Sequence, residues 1–286
     1  MKLVSWNINS LRQRLPLLKK FVEQANPDVI CLQEIKVSDP EFPLLEVRAL
    51  GFDFVEFSGE KSYNGVAILS KFLLTEVSKI DVCNYGHKRH ISAQVNGVEL
   101  HNFYVPAGGD IPDITLNDKF AHKLKFLDWM TEYFASQKNK KIIIVGDLNI
   151  APLEHDVWSH KQLLKIVSHT PIEIEKMTRL QESLNFLDTH RHFVDPSEKL
   201  YSWWSYRAKD PLGADKGRRL DHIWATPSLK SNIESMKIYR DFRNETRPSD
   251  HVPIETFFNL GTDPATQLRI NEKNPPQLKK RNGRFR

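Results

Sequence analysis

Two patterns alternate along the 286-residue chain. Short β-branched or apolar runs end in polar residues, and longer stretches carry apolar residues at helical spacing. The runs predict strands over 2–8, 28–33, 52–57, 65–70, 90–95, 98–105, 141–147, 200–206, 219–225, 233–240 and 252–258. Helices are predicted over 11–25 and 114–136. In the first, Leu11, Leu15, Leu18 and Val22 fall on one face, and in the second Phe120, Leu124, Leu127 and Phe134 do the same. Shorter helices are predicted over 160–167 and 175–185. Some runs are joined by short connections, as in antiparallel sheets, and others are separated by helices. The mixture predicts an α/β fold of sheets covered by helices, not one doubly wound parallel sheet. The periodicity stops after Leu260, where Pro264, Pro275 and Pro276 join basic residues. The expectation is one folded domain over 1–260 and a disordered extension over 261–286.

Composition narrows the class only slightly. Hydrophobic residues make up 40% and charged residues 27%, ordinary values for a soluble globular chain. The two cysteines, Cys31 and Cys83, are too few for a disulfide scaffold and form no CxxC. Cys31 lies inside an apolar run and reads as a buried structural thiol. No secretory signal and no membrane-length apolar segment is visible, so a reducing cytoplasm, no membrane and a monomer are the default expectations. The net charge of +5 is unevenly placed. Residues 261–286 hold seven basic and two acidic residues, so residues 1–260 are neutral overall. The charge therefore marks the tail, not the body, as the basic element.

Five predicted strand ends are rich in carboxylates and amides: Trp6-Asn7-Ile8-Asn9, Leu32-Gln33-Glu34, Gly146-Asp147-Leu148-Asn149, Leu220-Asp221-His222 and Ser249-Asp250-His251. Any one of them is an ordinary turn or helix cap. Together they supply what phosphodiester hydrolysis needs. A hard divalent cation prefers oxygen ligands and stabilises charge on phosphate oxygens. A carboxylate or histidine must activate water, and neutral amides can orient phosphate without repelling it. A cysteine-poor, carboxylate-rich set favours Mg²⁺, or Mn²⁺, over zinc.

The chain resembles the exonuclease III family of apurinic/apyrimidinic (AP) endonucleases, within the endonuclease/exonuclease/phosphatase superfamily. The resemblance runs through 1–260 and rests on segments in order: Ser5–Arg12, Asp28–Lys36, Tyr63–Ser70, Gly146–Pro152, Arg219–Asp221 and Pro248–His251. It implies a four-layer α/β sandwich of two packed mixed sheets flanked by helices, with the site at one edge. It implies that Glu34 binds metal with Asn7 and Asn9 close by, that Asp147 activates or positions water, and that Asn149 orients phosphate or water. His251 would pair with Asp221 and act as a charged phosphate clamp or, if neutral, as the base. Asp250 would assist the metal or that pair. Tyr104 would donate to a phosphate oxygen, and Arg89 would contact the DNA backbone. Asp188 reads as a loop support. Trp203 and Trp204 alternate in direction, so one, taken as Trp203, would wall a pocket for a base-less sugar. One departure is visible: Ala107-Gly108-Gly109 stands where the family carries an amide after Tyr-x-Pro.

The leading expectation is hydrolysis of double-stranded DNA 5′ to abasic sites, with trimming of 3′ ends. A second keeps the chemistry and changes the substrate to RNA or inositol phosphates. A third is a non-catalytic nucleic-acid binder, which would gain little from so many acids beside phosphate. The tail is expected to be either a solubilising end or a DNA-binding arm.

Overall fold

Burial on both faces of the central strands decides the layering. In Lys2–Asn7, Leu3 faces a core containing Val29, Cys31, Ile143 and Val145. Val4 and Trp6 face the other way, onto Leu18 and Phe21. A strand buried on both faces reads as a near-continuous apolar run, which explains why 28–33 and 141–147 lack alternation. The structure is a computed structural model and describes residues 1–138, 140–207 and 210–261.

In chain order the strands are β1 (Lys2–Asn7), β2 (Val29–Gln33), β3 (Phe54–Ser58), β4 (Val66–Ser70), β5 (Leu74–Ser78), β6 (His90–Val95), β7 (Val98–Tyr104) and β8 (Ile142–Asp147). They continue with β9 (Leu187–Asp188), β10 (Trp203–Trp204), β11 (Gly217–Arg218), β12 (Asp221–Ala225), β13 (Ile233–Ile238) and β14 (Ile254–Phe258). The helices are α1 (Leu11–Ala25), α2 (Leu44–Arg48), α3 (Asp118–Ala135), α4 (His160–Leu163), α5 (Pro171–Glu182) and α6 (Pro211–Ala214).

Two six-stranded sheets form, ordered β13-β14-β1-β2-β4-β3 and β5-β6-β7-β8-β12-β9. Both are mixed, with β1 parallel to β2 and β7 parallel to β8. Their inner faces pack through Leu3, Cys31, Ile68, Leu100, Val145 and Ile223. Helix α1 covers the outer face of the first sheet through Leu18 and Phe21. Helices α3 and α5 cover the second through Phe126, Leu127 and Leu180 on Phe103 and Ile144. The four expected layers are all present.

Several predicted boundaries shift for identifiable reasons. The predicted strand 200–206 shrinks to Trp203–Trp204, because Ser202 and Trp204 spend their backbone N–H groups on Arg218 and Asp250. Strand 219–225 begins at Asp221, since Arg219 N–H donates to Asp156 instead. Helix 114–136 begins at 118, where the Asn117 side chain accepts from the backbone of Lys119 and Phe120. Helix 175–185 begins earlier, at Pro171, where the Glu173 carboxylate caps Thr170 N–H at 3.1 Å. The predicted helix 160–167 stops at Leu163. Strand β5 and helix α2 were not predicted. Of the predicted 261–286 extension, residues 262–286 lie outside the described residues. Among the described residues no helix is long and apolar enough to cross a membrane.

Candidate active site

The polar ends of strands from both sheets meet at one edge. β1 ends at Asn7, β2 runs into Glu34 and β8 ends at Asp147. The register sets Asp147 between Tyr104 of β7 and Asp221 of β12. Gly146 permits that register: a Cβ there would fall 1.9 Å from the carbonyl oxygen of Phe103, its partner on β7. After the strand ends the chain turns away sharply. Asn9, Glu34 and Asn149 all take left-handed backbone conformations, with φ of 47°, 50° and 55°. Asparagine tolerates this conformation; glutamate adopts it rarely.

Asn7 links the two sheets. Its Nδ2 donates to Glu34 Oε1 and to Asp147 Oδ2, both at 2.9 Å. Its Oδ1 accepts from the Asn9 backbone N–H at 3.1 Å. Glu34 Oε1 also accepts from the Tyr104 hydroxyl at 2.7 Å. On the other side of Glu34, the Lys36 ammonium lies 2.6 Å from Oε2 and donates to Asn9 Oδ1 at 2.7 Å. Burial works to raise the Glu34 carboxyl, but Lys36 and the hydrogen bonds from Asn7 and Tyr104 outweigh it and hold the pKa below its ordinary value. Burial and the charges of Glu34 and Asp147 push the Tyr104 phenol well up, so it remains a donor.

The second half of the site is a buried charge cluster. His251 Nδ1 lies 2.8 Å from Asp221 Oδ2, which also accepts from Ser202 Oγ at 2.6 Å. His251 Nε2 lies 3.6 Å from Asp147 Oδ2. Burial opposes a charged ring, but Asp221 and then Asp147 more than offset it, raising His251 to about 10. Burial pushes Asp147 up in turn, against the pull of His251. Both neighbouring carboxylates favour the charged form of the imidazole. Asp147 Oδ1 accepts from Asn149 N–H at 3.0 Å, and Asn149 Nδ2 donates to Val105 O at 2.9 Å. Asp250 takes Asn9 Nδ2 at 3.1 Å and Trp203 Nε1 at 3.0 Å.

These groups open into a cleft of about 700 Å³ that aromatic and basic side chains also line, among them Trp158, Trp203, Lys216 and Arg218. Trp203 lines this cleft, whereas Trp204 lies in the core beside Tyr201. Arg89 is 4% exposed and lies below the surface. Its guanidinium packs 4.6 Å from the Tyr104 ring centre and donates to Tyr104 O and Tyr63 Oη. It therefore holds Tyr104 in place. Asp188 accepts from the backbone of His190 and Arg191 and pairs with Arg219, which is loop support.

Lys36, Lys123, Trp158, Ser202 and Arg218 belong to the site but were not singled out from the sequence. A signal existed for Lys123, a charged residue in the apolar stripe of α3. It is fully buried, pairs with Glu173 and donates to Asn149 O at 2.8 Å.

The donor set suits a hard cation. Asp147, Asp221 and His251 each offer a ligand atom within 4.8 Å of the others, and Asp221 Oδ1 is buried without a hydrogen-bond partner. Glu34 and Asn9 offer a second set, already bridged by a cation, the ammonium of Lys36.

Acids, amides and an imidazolium at the shared edge of two packed sheets define a hydrolytic class, and comparison with known proteins agrees. The endonuclease/exonuclease/phosphatase family model matches residues 4–251, and the chain belongs to that family, in its exonuclease III branch of AP endonucleases. It is 32% identical to exodeoxyribonuclease III of Haemophilus influenzae, over 90% of this chain and 100% of that protein. An AP endonuclease from Archaeoglobus fulgidus superposes with a TM-score of 0.84 at 31% identity, over 91% of this chain and 99% of that one. A Neisseria 3′ phosphatase, solved bound to a product DNA hairpin, gives the same TM-score at 29% identity and the same coverage.

Proposed function

We propose that the protein is a Mg²⁺- or Mn²⁺-dependent phosphodiesterase that cuts double-stranded DNA on the 5′ side of abasic sites and trims 3′ ends. The observation that carries this reading is the single Asn7 amide joining Glu34 and Asp147 across two sheets, which sets two carboxylates side by side at one edge. Relatives described as an exodeoxyribonuclease and an AP endonuclease, and one solved with DNA, support DNA over RNA or inositol phosphates.

In this reading Glu34 and Asn9 hold the metal, Asp250 steadies Asn9, and Asn7 aligns the carboxylates. A bound divalent ion would neutralise charge on the phosphate and the leaving oxygen. Asp147 accepts the proton of a water that attacks phosphorus, and the bond to the 3′ oxygen breaks, leaving a 3′-hydroxyl and a 5′-phosphate. Protonated His251 clamps the phosphate and is kept charged by Asp221. Tyr104 and Asn149 orient phosphate oxygens, with Arg89 serving that contact by fixing Tyr104. Trp203 walls the sugar pocket.

Duplexes carrying one abasic analogue, or blunt ends, test this with and without chelator. Incision that requires Mg²⁺ is expected. Asp147→Asn is expected to lower kcat by about 10²–10⁴-fold, the usual cost of losing a general base. A near-normal rate in Asp147→Asn overturns the role of Asp147. Hydrolysis of inositol phosphates or RNA with no DNA cleavage overturns the substrate.

A further inference from the structure

Arg218 forms no ion pair among the described residues and lines the same cleft as Glu34, Asp147 and Asp250. Strand β11 pairs it with Trp203 of β10, and Val157 bridges to it in an isolated pair. Its guanidinium carbon lies 5.3 Å over the Trp203 ring. Nη1 donates to Val167 O at 3.1 Å and to Ser168 Oγ at 2.7 Å, both neutral acceptors. Nε is buried with no hydrogen-bond partner. The acid that bears on it, Glu173, is taken by Lys123. The next residue shows the contrast: Arg219 is paired with both Asp156 and Asp188.

A charge drawn out of water is costly unless an opposite charge or good hydrogen bonds compensate it. Here the one acid that bears on it, Glu173, is paired with Lys123, and the position lines the cleft. Trp203 fixes its distance from the chemistry. The indole N–H donates to Asp250, in the acid cluster, while the indole face carries Arg218. One ring therefore separates Arg218 from the acids, and an anion at Arg218 is a different group from the phosphate at Asp147 and His251. Lys216, 4.8 Å over the ring of Trp158, extends the same basic wall.

We propose that Arg218 is the subsite for the phosphodiester on the 3′ side of the sugar resting on Trp203, so that the preferred substrate is an internal site flanked by phosphate on both sides. This rests on the reading of the protein as a DNA phosphodiesterase. If the scissile phosphate lies 5′ of that sugar, the next phosphate along the strand lies 3′ of it. A 3′-terminal sugar ends there in a hydroxyl and leaves Arg218 unpaired.

Two duplexes isolate that phosphate. One carries an internal abasic analogue, and the other carries the same analogue at a 3′-hydroxyl terminus. Arg218→Gln is expected to lower the internal-to-terminal ratio of kcat/KM by about 10-fold or more, the scale of a hydrogen bond between charged groups. The loss should lie in KM, and the salt slope for the internal duplex should fall by about one. Arg218→Lys, which keeps the charge, should restore part of the ratio and serves if the Gln variant does not fold. Equal losses on both duplexes, or none on either, overturn the subsite and leave the DNA reading intact. A wild-type enzyme that cuts neither duplex overturns the DNA reading itself, before any variant is made.

Discussion

His251 and His90 are both buried rings, yet their surroundings give them opposite charge states. His251 has two carboxylates for neighbours and holds a proton to about pH 10. His90 has none. Its Nδ1 accepts from Ile80 N–H at 3.3 Å, and its Nε2 lies 3.0 Å from Nδ1 of His101. His101 Nε2 lies 3.0 Å from Glu99, so the hydrogens run in one direction along the relay and both rings are neutral. Burial lowers His90 well below its ordinary value and also lowers His101. The hydrogen bond from His101 leads the causes that bring Glu99 down to about 2. The sign follows. Below about pH 6.5 the unfolded chain takes up protons that the folded rings refuse, so their contribution is complete above that pH and is lost as pH falls. Glu99 adds stability above about pH 4.3 that disappears as pH falls towards 2. Denaturant unfolding between pH 7 and 5 should show His90→Phe with a pH slope that is shallower by an amount rising to about 1.4 kcal/mol per unit at the acid end. Identical slopes in the two proteins would show that His90 is not held neutral.

Between elements, the buried pair of Lys123 on α3 and Glu173 on α5 joins three walls of the cleft. Lys123 donates to Ala107 O at 3.3 Å and to Asn149 O at 2.8 Å. Glu173 accepts from the backbone of Ser168 and Thr170. Asn149 has left-handed backbone, and this pair helps hold it there. Lys123→Met leaves a buried carboxylate unpaired and is expected to cost about 3–5 kcal/mol. The double variant Lys123→Met with Glu173→Gln, which removes the charge and keeps an acceptor for Ser168 and Thr170, should recover a large part of that, while its kcat remains low because the Asn149 loop is no longer held. Urea unfolding and steady-state rates check both halves, and full recovery of kcat in the double variant would reject the positioning role. This pair also shows what the sequence could reveal. Helix α1 appears with its observed bounds because one apolar stripe buries against one sheet. Glu34, Asp147 and Asp221 were legible because carboxylates at the ends of apolar runs are conspicuous. Strand β5 was not, since most of it is exposed and β6 alone orders it in its sheet. Strands β9, β10 and β11 are two residues each, defined by partners distant in the chain. The importance of Lys123 and Arg218 lies in which charges they meet or fail to meet, and only the assembled fold decides that.

Across the whole molecule, charge separates the site from the means of reaching DNA. Residues 1–260 carry no net charge, so general attraction to a polyanion does not come from the body as a whole. Within it, basic side chains such as Lys216 and Arg218 line the same cleft as the acids. The net +5 lies in the last 26 residues, of which 262–286 fall outside the described residues. Phosphates neutralised by such a segment release counter-ions, so binding would weaken steeply with salt. Truncation after Gly261 keeps the hydrogen bond from Asn96 Nδ2 to Gly261 O. If the segment is an arm on DNA, the truncated enzyme should turn over normally at saturating duplex. Its log-log salt slope for KM should be shallower by up to about 4 units, at about 0.9 for each phosphate that the arm would neutralise. Arg218→Gln should remove about one unit, and only from substrates with a phosphate 3′ of the sugar. The two effects should add, because one acts before the sugar is seated and the other only afterwards. An unchanged salt slope on truncation would reduce the tail to a solubilising end and leave the cleft wall as the source of DNA affinity.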